Sequence, residues 1–194
     1  LGNSLKKINT TSFSPKSYTN KFGVPISLFN LNQNDKYGVL EVGMDKKGEI
    51  DNLSKIIQPD ISVITNVNYA HAKNFKNINQ IALAKSEIIQ NTKQNGYIVL
   101  NADDKFFGLH REIALKNHLK IISFGIKNRN SNVKFIDIKK IRKIYKINIK
   151  IKTQKKSFFI SNNFQSNIYN ILAALAVIGI YEDISKLNKN IFLN

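Results

Sequence analysis

The apolar positions of this chain change period twice, and each change predicts a different kind of structure. Over the first two-thirds, short runs rich in apolar and β-branched residues alternate with amphipathic stretches. The runs Ile8–Phe13, Tyr37–Val42, Ile61–Thr65, Tyr97–Asn101 and Lys120–Phe124 read as strands. Between them, Thr19–Asn30, Glu49–Ile57, Asn79–Gln90 and Asp103–Asn117 carry helical spacing, with Pro25 in an early turn or kink of the first. Strand–helix alternation predicts a mostly parallel sheet flanked by crossover helices, an α/β fold. From Asn132 the period becomes two. VKFIDIKKI, KIYKINIKI and KSFFI alternate apolar and polar residues between short breaks, which predicts a small antiparallel segment near 132–160. Phe164–Ile180 then returns to helix, and Ile184–Leu193 reads as a short helical tail. No repeat or low-complexity linker divides the chain, so residues 1–194 are expected to form one domain.

One residue breaks the pattern. The apolar stripe of the third helix runs Ile78, Ile81, Ala82, Lys85, Ile88, Ile89. A lysine in such a stripe either snorkels to water or, once desolvated, finds a partner, loses its proton or is modified. Two other polar residues fall where they could meet it. Glu41 lies near the carboxyl end of one predicted strand, and His71 follows five residues after Asn66, at the end of the next. Ligands of open α/β sheets bind beyond the carboxyl ends of the strands. Glu41 and His71 are therefore expected at one edge of a single sheet, with Lys85 facing them. Their oxygen and nitrogen donors suit a hard divalent cation, magnesium or manganese. The stretch Gly43–Gly48 (GMDKKG) has the glycine spacing of a phosphate loop, but Glu49 and Ile50 follow in place of Lys and Ser or Thr. It predicts a tight turn into a helix, with Glu49 at the helix's positive end.

Composition narrows the partners. Thirty Lys and Arg against 13 Asp and Glu give a net charge of +17, which invites nucleic acid as a partner. The lysines are spread along the chain, however, and no aromatic-interleaved basic motif occurs. The densest run, Lys139, Lys140, Arg142, Lys143 and Lys146, lies in alternating strands and predicts a solvated sheet face. No nucleic acid is expected. The longest apolar run, Ile171–Tyr181, is too short to cross a bilayer, so no membrane span is expected either. With 42% hydrophobic residues a packed core is expected. The absence of cysteine excludes disulfides and thiolate metal sites and fits a reducing compartment.

Six stretches carry a resemblance, in order, over nearly the whole chain. They are YTNKFGVPISLF (Tyr18–Phe29), VLEVGMDKKGEID (Val39–Asp51), PDISVITNVNYAHAKNF (Pro59–Phe75), IALAKSEI (Ile81–Ile88), GYIVLNADD (Gly96–Asp104) and NIYNILAALAV (Asn167–Val177). Together they resemble the central, ATP-binding domain of the Mur ligase family, cytoplasmic enzymes that build the peptidoglycan precursor. Within it they look most like the branch that adds D-alanyl-D-alanine to UDP-N-acetylmuramoyl-tripeptide. The resemblance implies a P-loop NTPase-like fold and ATP with Mg2+ as cofactors. It implies a cytoplasmic enzyme, monomeric at full length. It makes Glu41 and His71 ligands of a magnesium ion and Lys85 a carbamate that supports a second. It brings Asn167 and Asn170 near the ATP base, and Thr19 and Asn20 near the substrate. The chain departs from the family at Thr19, where an asparagine is usual, and at Phe164 and Ser166, where Gly and His are usual. It is expected to begin after the phosphate loop and to stop before a carboxyl-terminal ligase domain, so that this stretch alone is inactive. The residues also admit another amide ligase of the same build, acting on a different wall precursor or on folate, or a non-catalytic binding domain.

Overall fold

The computed structural model describes residues 1–69, 74–162 and 165–193. It contains two sheets. Strands β1 (Thr11–Phe13) and β2 (Tyr37–Val39) pair in parallel by themselves. Strands β3 (Ile61–Ile64), β4 (Tyr97–Asn101), β5 (Lys120–Gly125), β6 (Val133–Ile141), β7 (Ile144–Ile151) and β8 (Gln154–Ile160) form the second sheet in sequence order. It is parallel from β3 to β6 and antiparallel from β6 to β8. The helices are α1 (Gly2–Lys6), α2 (Gly23–Phe29), α3 (Glu49–Ile57), α4 (Ile78–Gln90), α5 (Phe107–Lys116) and α6 (Gln165–Tyr181).

Strand alternation decides which helix covers which face. On β4, Val99 joins the cluster with Leu172, Leu175 and Ile178 of α6. Its neighbours Ile98 and Leu100 join the opposite cluster with Ile89 of α4 and Ala114 of α5. Successive strand residues point to opposite faces, so a continuous apolar run is needed where both are covered. That is why YIVLN is apolar at four consecutive positions. Helix α6 is apolar on nearly every side, from Ile171 to Ile178, and all eight of these residues are buried. It is the central strut against which β4, β5, β6 and the meander pack. The meander gives the same cluster its inward residues Ile147, Ile149, Ile151, Phe158 and Ile160. A bulge between Phe135 and Asp137 shifts the β6–β7 register, and Ile136 is exposed there.

Several expected boundaries move. Helix α2 begins at Gly23, because the Asn20 side chain takes the amides of Phe22 and Gly23 (both 3.0 Å) and Pro25 then falls in the first turn. Helix α5 begins at Phe107, after a turn in which Asp104 accepts the Phe106 amide on its side chain (2.8 Å) and the Phe107 amide on its carbonyl (3.0 Å). Strand β2 stops at Val39, and the Glu41 amide turns aside to Ser14 Oγ (3.1 Å). Among the described residues the tail keeps a 3-10 turn at Ile184–Lys186, whose Ser185 amide is capped by Asp183 (2.9 Å). Among the described residues no helix is long and apolar enough to cross a membrane.

Candidate active site

The expectation that Glu41 and His71 share one sheet edge needs correcting. Strand β2, which leads to Glu41, pairs with β1 and belongs to the two-stranded sheet, whereas β3 opens the six-stranded one. His71 lies outside the described residues. What draws the segments together is packing rather than strand pairing. Val42 and Met44 after β2, Val67 after β3, Phe106 after β4, and Ile81, Ala82 and Ala84 of α4 form one hydrophobic cluster. Glu41 adjoins this cluster through Val42, and Lys85 adjoins it through Ala84.

Thr19 and Asn20 belong to the same neighbourhood. The Gly43 amide donates to the Thr19 carbonyl (2.8 Å), and a Cβ at Gly43 would lie 2.8 Å from Thr19 Oγ1. Glycine at 43 is thus required for the loop after β2 to lie against Thr19. The two substrate candidates therefore stand beside the Glu41 loop. The Gly43–Gly48 turn is tight, as expected, with Gly48 at φ +88°. Glu49 opens α3, as expected, and takes a further duty. Its Oε2 accepts the amides of Asp45 (2.6 Å) and Lys46 (3.2 Å) and closes the turn, which holds its carboxyl below the ordinary value. The amino-terminal end of α3 is capped by Glu87 of α4. This buried carboxylate accepts Gly48 N–H (2.9 and 3.1 Å) and Asp51 N–H (3.0 Å).

Lys85 is half-buried, two residues before Glu87. Burial pushes its ammonium below the ordinary lysine value, against a smaller upward pull from the Asp104 carboxylate. His110 of α5 lies near by, 2% exposed, with Nε2 3.0 Å from the Ala82 carbonyl. Burial lowers its pKa; the bond to Ala82 and the charge of Asp104 oppose this, and Lys85 adds to it. The charge of Asp104 thus opposes the effect of burial on both Lys85 and His110. Asp104 accepts Val67 N–H (2.8 Å) through one oxygen and Phe106 N–H (2.8 Å) through the other. Asn101 Nδ2 donates to the Thr65 carbonyl (3.0 Å), so the exit loop of β3 is held twice from the end of β4.

Asn167 and Asn170 fall three residues apart on α6, on one face. Asn167 Nδ2 donates to Asn162 Oδ1 (2.9 Å), and Asn170 is exposed. Glu87, Asp103, Asp104 and His110 were missed from sequence. A signal existed for two of them, since the polar run Asn101–Asp104 directly follows an apolar strand at its carboxyl end. Among the described residues, no group of three or more acidic or histidine side chains stands close enough to hold a metal ion. Glu41 is an exposed carboxylate and Lys85 a half-buried amine. A hard cation at Glu41 would need further oxygen donors.

The Mur ligase middle domain model matches residues 2–178. The chain belongs to the Mur ligase family. It is 36% identical over 156 residues to the UDP-N-acetylmuramoyl-tripeptide–D-alanyl-D-alanine ligase of Buchnera aphidicola subsp. Acyrthosiphon pisum (strain APS), covering 79% of this chain and 31% of that protein. It is 30% identical over 160 residues to the protein of the same name from Bacillus subtilis (strain 168), covering 82% and 33%. A crystal structure of MurF from Acinetobacter baumannii superposes with a TM-score of 0.83 at 28% identity, over 91% of this chain and 38% of that one. MurF from Thermotoga maritima, in complex with ADP, shares the fold at 24% identity and a TM-score of 0.82. This Mur ligase domain therefore spans about a third of the length of these curated relatives.

Proposed function

We propose that this chain serves as the middle domain of a longer ATP-dependent ligase that joins D-alanyl-D-alanine to UDP-N-acetylmuramoyl-tripeptide. In this reaction a carboxylate oxygen of the tripeptide takes the γ-phosphoryl group of ATP, giving an acyl phosphate and ADP. The amine of D-alanyl-D-alanine adds to the carbonyl carbon. The tetrahedral adduct then expels phosphate as the nitrogen loses its proton, leaving an amide. Identity to curated ligases of that name supports the substrate pair. Likenesses to L. casei FPGS (13% identity, TM-score 0.70) and to a pseudomurein peptide ligase (21%, 0.72) support the fold alone.

Each candidate residue takes a part in this reading. Glu41 and His71 hold magnesium, which neutralises the crowded phosphate oxygens. Lys85 is carbamylated: its neutral Nζ attacks the carbon of CO2, an N–C bond forms, a proton leaves, and the cation becomes an anion. Thr19 and Asn20 orient the substrate beside the Glu41 loop, and Asn167 and Asn170 face the ATP base. The observation that carries the reading is the half-buried Lys85 on α4, next in sequence to Ala84 of the cluster shared with the loops after β2, β3 and β4, where burial lowers its pKa. A desolvated lysine offers the neutral amine that carbamylation needs. In the full-length gene product, Lys85→Ala should lower ligation at least ~100-fold, the order expected when a charge-stabilising group is lost. A short carboxylate such as formate should restore part of the rate. Unimpaired turnover of Lys85→Ala would end this assignment.

A further inference from the structure

Asp103 sits where β4 leaves the sheet, and its carboxylate is fully engaged. Oδ2 accepts Ile126 N–H (2.6 Å) and Lys127 N–H (2.9 Å), and Oδ1 accepts Asn128 N–H (2.6 Å). The fourth donor comes from another element: Tyr169 of α6 gives its hydroxyl hydrogen to Oδ2 (2.9 Å). Asn128 Nδ2 returns to the Ala102 carbonyl (3.4 Å). Burial alone would raise the Asp103 carboxyl; the Lys127, Ile126 and Asn128 amides outweigh it and hold it low. The loop lies so close that a Cβ at Gly125 would be 3.0 Å from Asp103 Oδ1 and 2.9 Å from Ser131 Oγ. One ionised side chain thus ties the β5–β6 loop and helix α6 to the end of β4. Tyr169 stands between Asn167 and Asn170 on α6.

Resting on the reading above, we propose that Asp103 and Tyr169 are a positioning pair for the nucleotide: their hydrogen bond fixes the first turns of α6 on the sheet and so sets where Asn167 and Asn170 meet the ATP base. Neither residue touches the reacting atoms. The Tyr169 hydroxyl gives the first part of α6 a directional tie to a charged acceptor at the end of β4, which apolar packing by itself does not supply.

The test uses the full-length gene product with ATP as the varied substrate. Tyr169→Phe keeps the ring and the three amide bonds of Asp103 and removes one hydrogen bond to a charged acceptor. It should raise KM for ATP about tenfold, with kcat within about twofold. Asp103→Asn, which also loosens the 126–128 loop, should raise KM further. Glu182→Gln is the control: it weakens the ties of the other end of α6 to Lys36 (2.8 Å) and Tyr37, and should leave KM for ATP within about twofold. A Tyr169→Phe enzyme with the wild-type KM overturns the pairing, as does a Glu182→Gln enzyme whose KM rises equally, since general loosening then suffices. Calorimetric ATP binding separates this from the ligase reading. A wild-type protein that binds ATP but ligates nothing sinks the ligase reading, and the pairing is then read from Kd. A wild-type protein that binds no nucleotide overturns the pairing as well.

Discussion

The parallel half of the sheet and the antiparallel meander spend their charges in opposite ways. In the parallel half, the carboxylates of Glu87, Asp103 and Asp104 turn inward onto backbone amides of loops and helix ends. Each holds segments far apart in sequence. In the meander most charges are lysines, and several line the outer face. They sit in register across strands, Lys134 opposite Lys150, Lys150 opposite Lys155, and Lys139 opposite Lys146. The meander's order comes instead from its inward Ile and Phe residues and from the ladder Asp137–Asn148–Ser157 (both bonds 2.6 Å). The same +17 chain therefore has a few acids that organise structure and many outward bases, with Lys7 and Lys156 as exceptions that hold backbone carbonyls of the tail. Residue type predicts little about importance here, whereas burial and partner type predict it well.

The contrast can be broken first at Glu87. Replacing it with alanine strands two amides at the start of α3 and should cost about 3 kcal/mol in urea unfolding, the range for losing a buried charged partner. A loss below about 1 kcal/mol would mean that water replaces the carboxylate and that the inward acids are ordinary. His110 sharpens the comparison through pH. Its folded pKa is lowered, so below the unfolded value of 6.5 the unfolded chain binds a proton that the folded chain refuses. Stability is therefore full above about pH 6.5 and falls as the pH drops below it, by at most about 1.4 kcal/mol per pH unit from this group. His110→Leu should flatten that part of the stability profile, and an unchanged slope would clear His110. The smallest effect belongs to the meander. Lys139→Thr relieves the opposed pair with Lys146 and should stabilise by about 0.3 kcal/mol at low salt, with the gain vanishing near 1 M salt. A loss of more than 1 kcal/mol would show that the outer lysines also organise structure.

Elements whose signals are local were legible in the sequence. Helix α3 (Glu49–Ile57) and strand β4 (Tyr97–Asn101) match their expected bounds, because a glycine turn or a compact apolar run marks each. Lys85 was legible as an anomaly since one lysine interrupts a stripe. The sharing of one sheet by Glu41 and His71 was misjudged, because strand order depends on pairings that periodicity cannot report. Glu87 was invisible for another reason. It lies off the predicted stripe of α4 and is buried only because α3 covers a second side of that helix. Asp103 and Asp104 were expected to begin α5; their carboxylates instead reach loops many residues away, although Asp104 also holds the Phe106 amide just before the helix.

Helix α6 carries one more consequence. It covers the sheet face that includes Val99, Phe124 and Ile147, and it packs with Leu5 near the other end of the sequence. A ribosome making this chain would release all six strands of the larger sheet, four of them parallel, before the residues that cover them exist. Until residue 178 or so clears the exit tunnel, that face stays bare to chaperones. In a cell short of them, slow translation ahead of Gln165 would favour aggregation over folding.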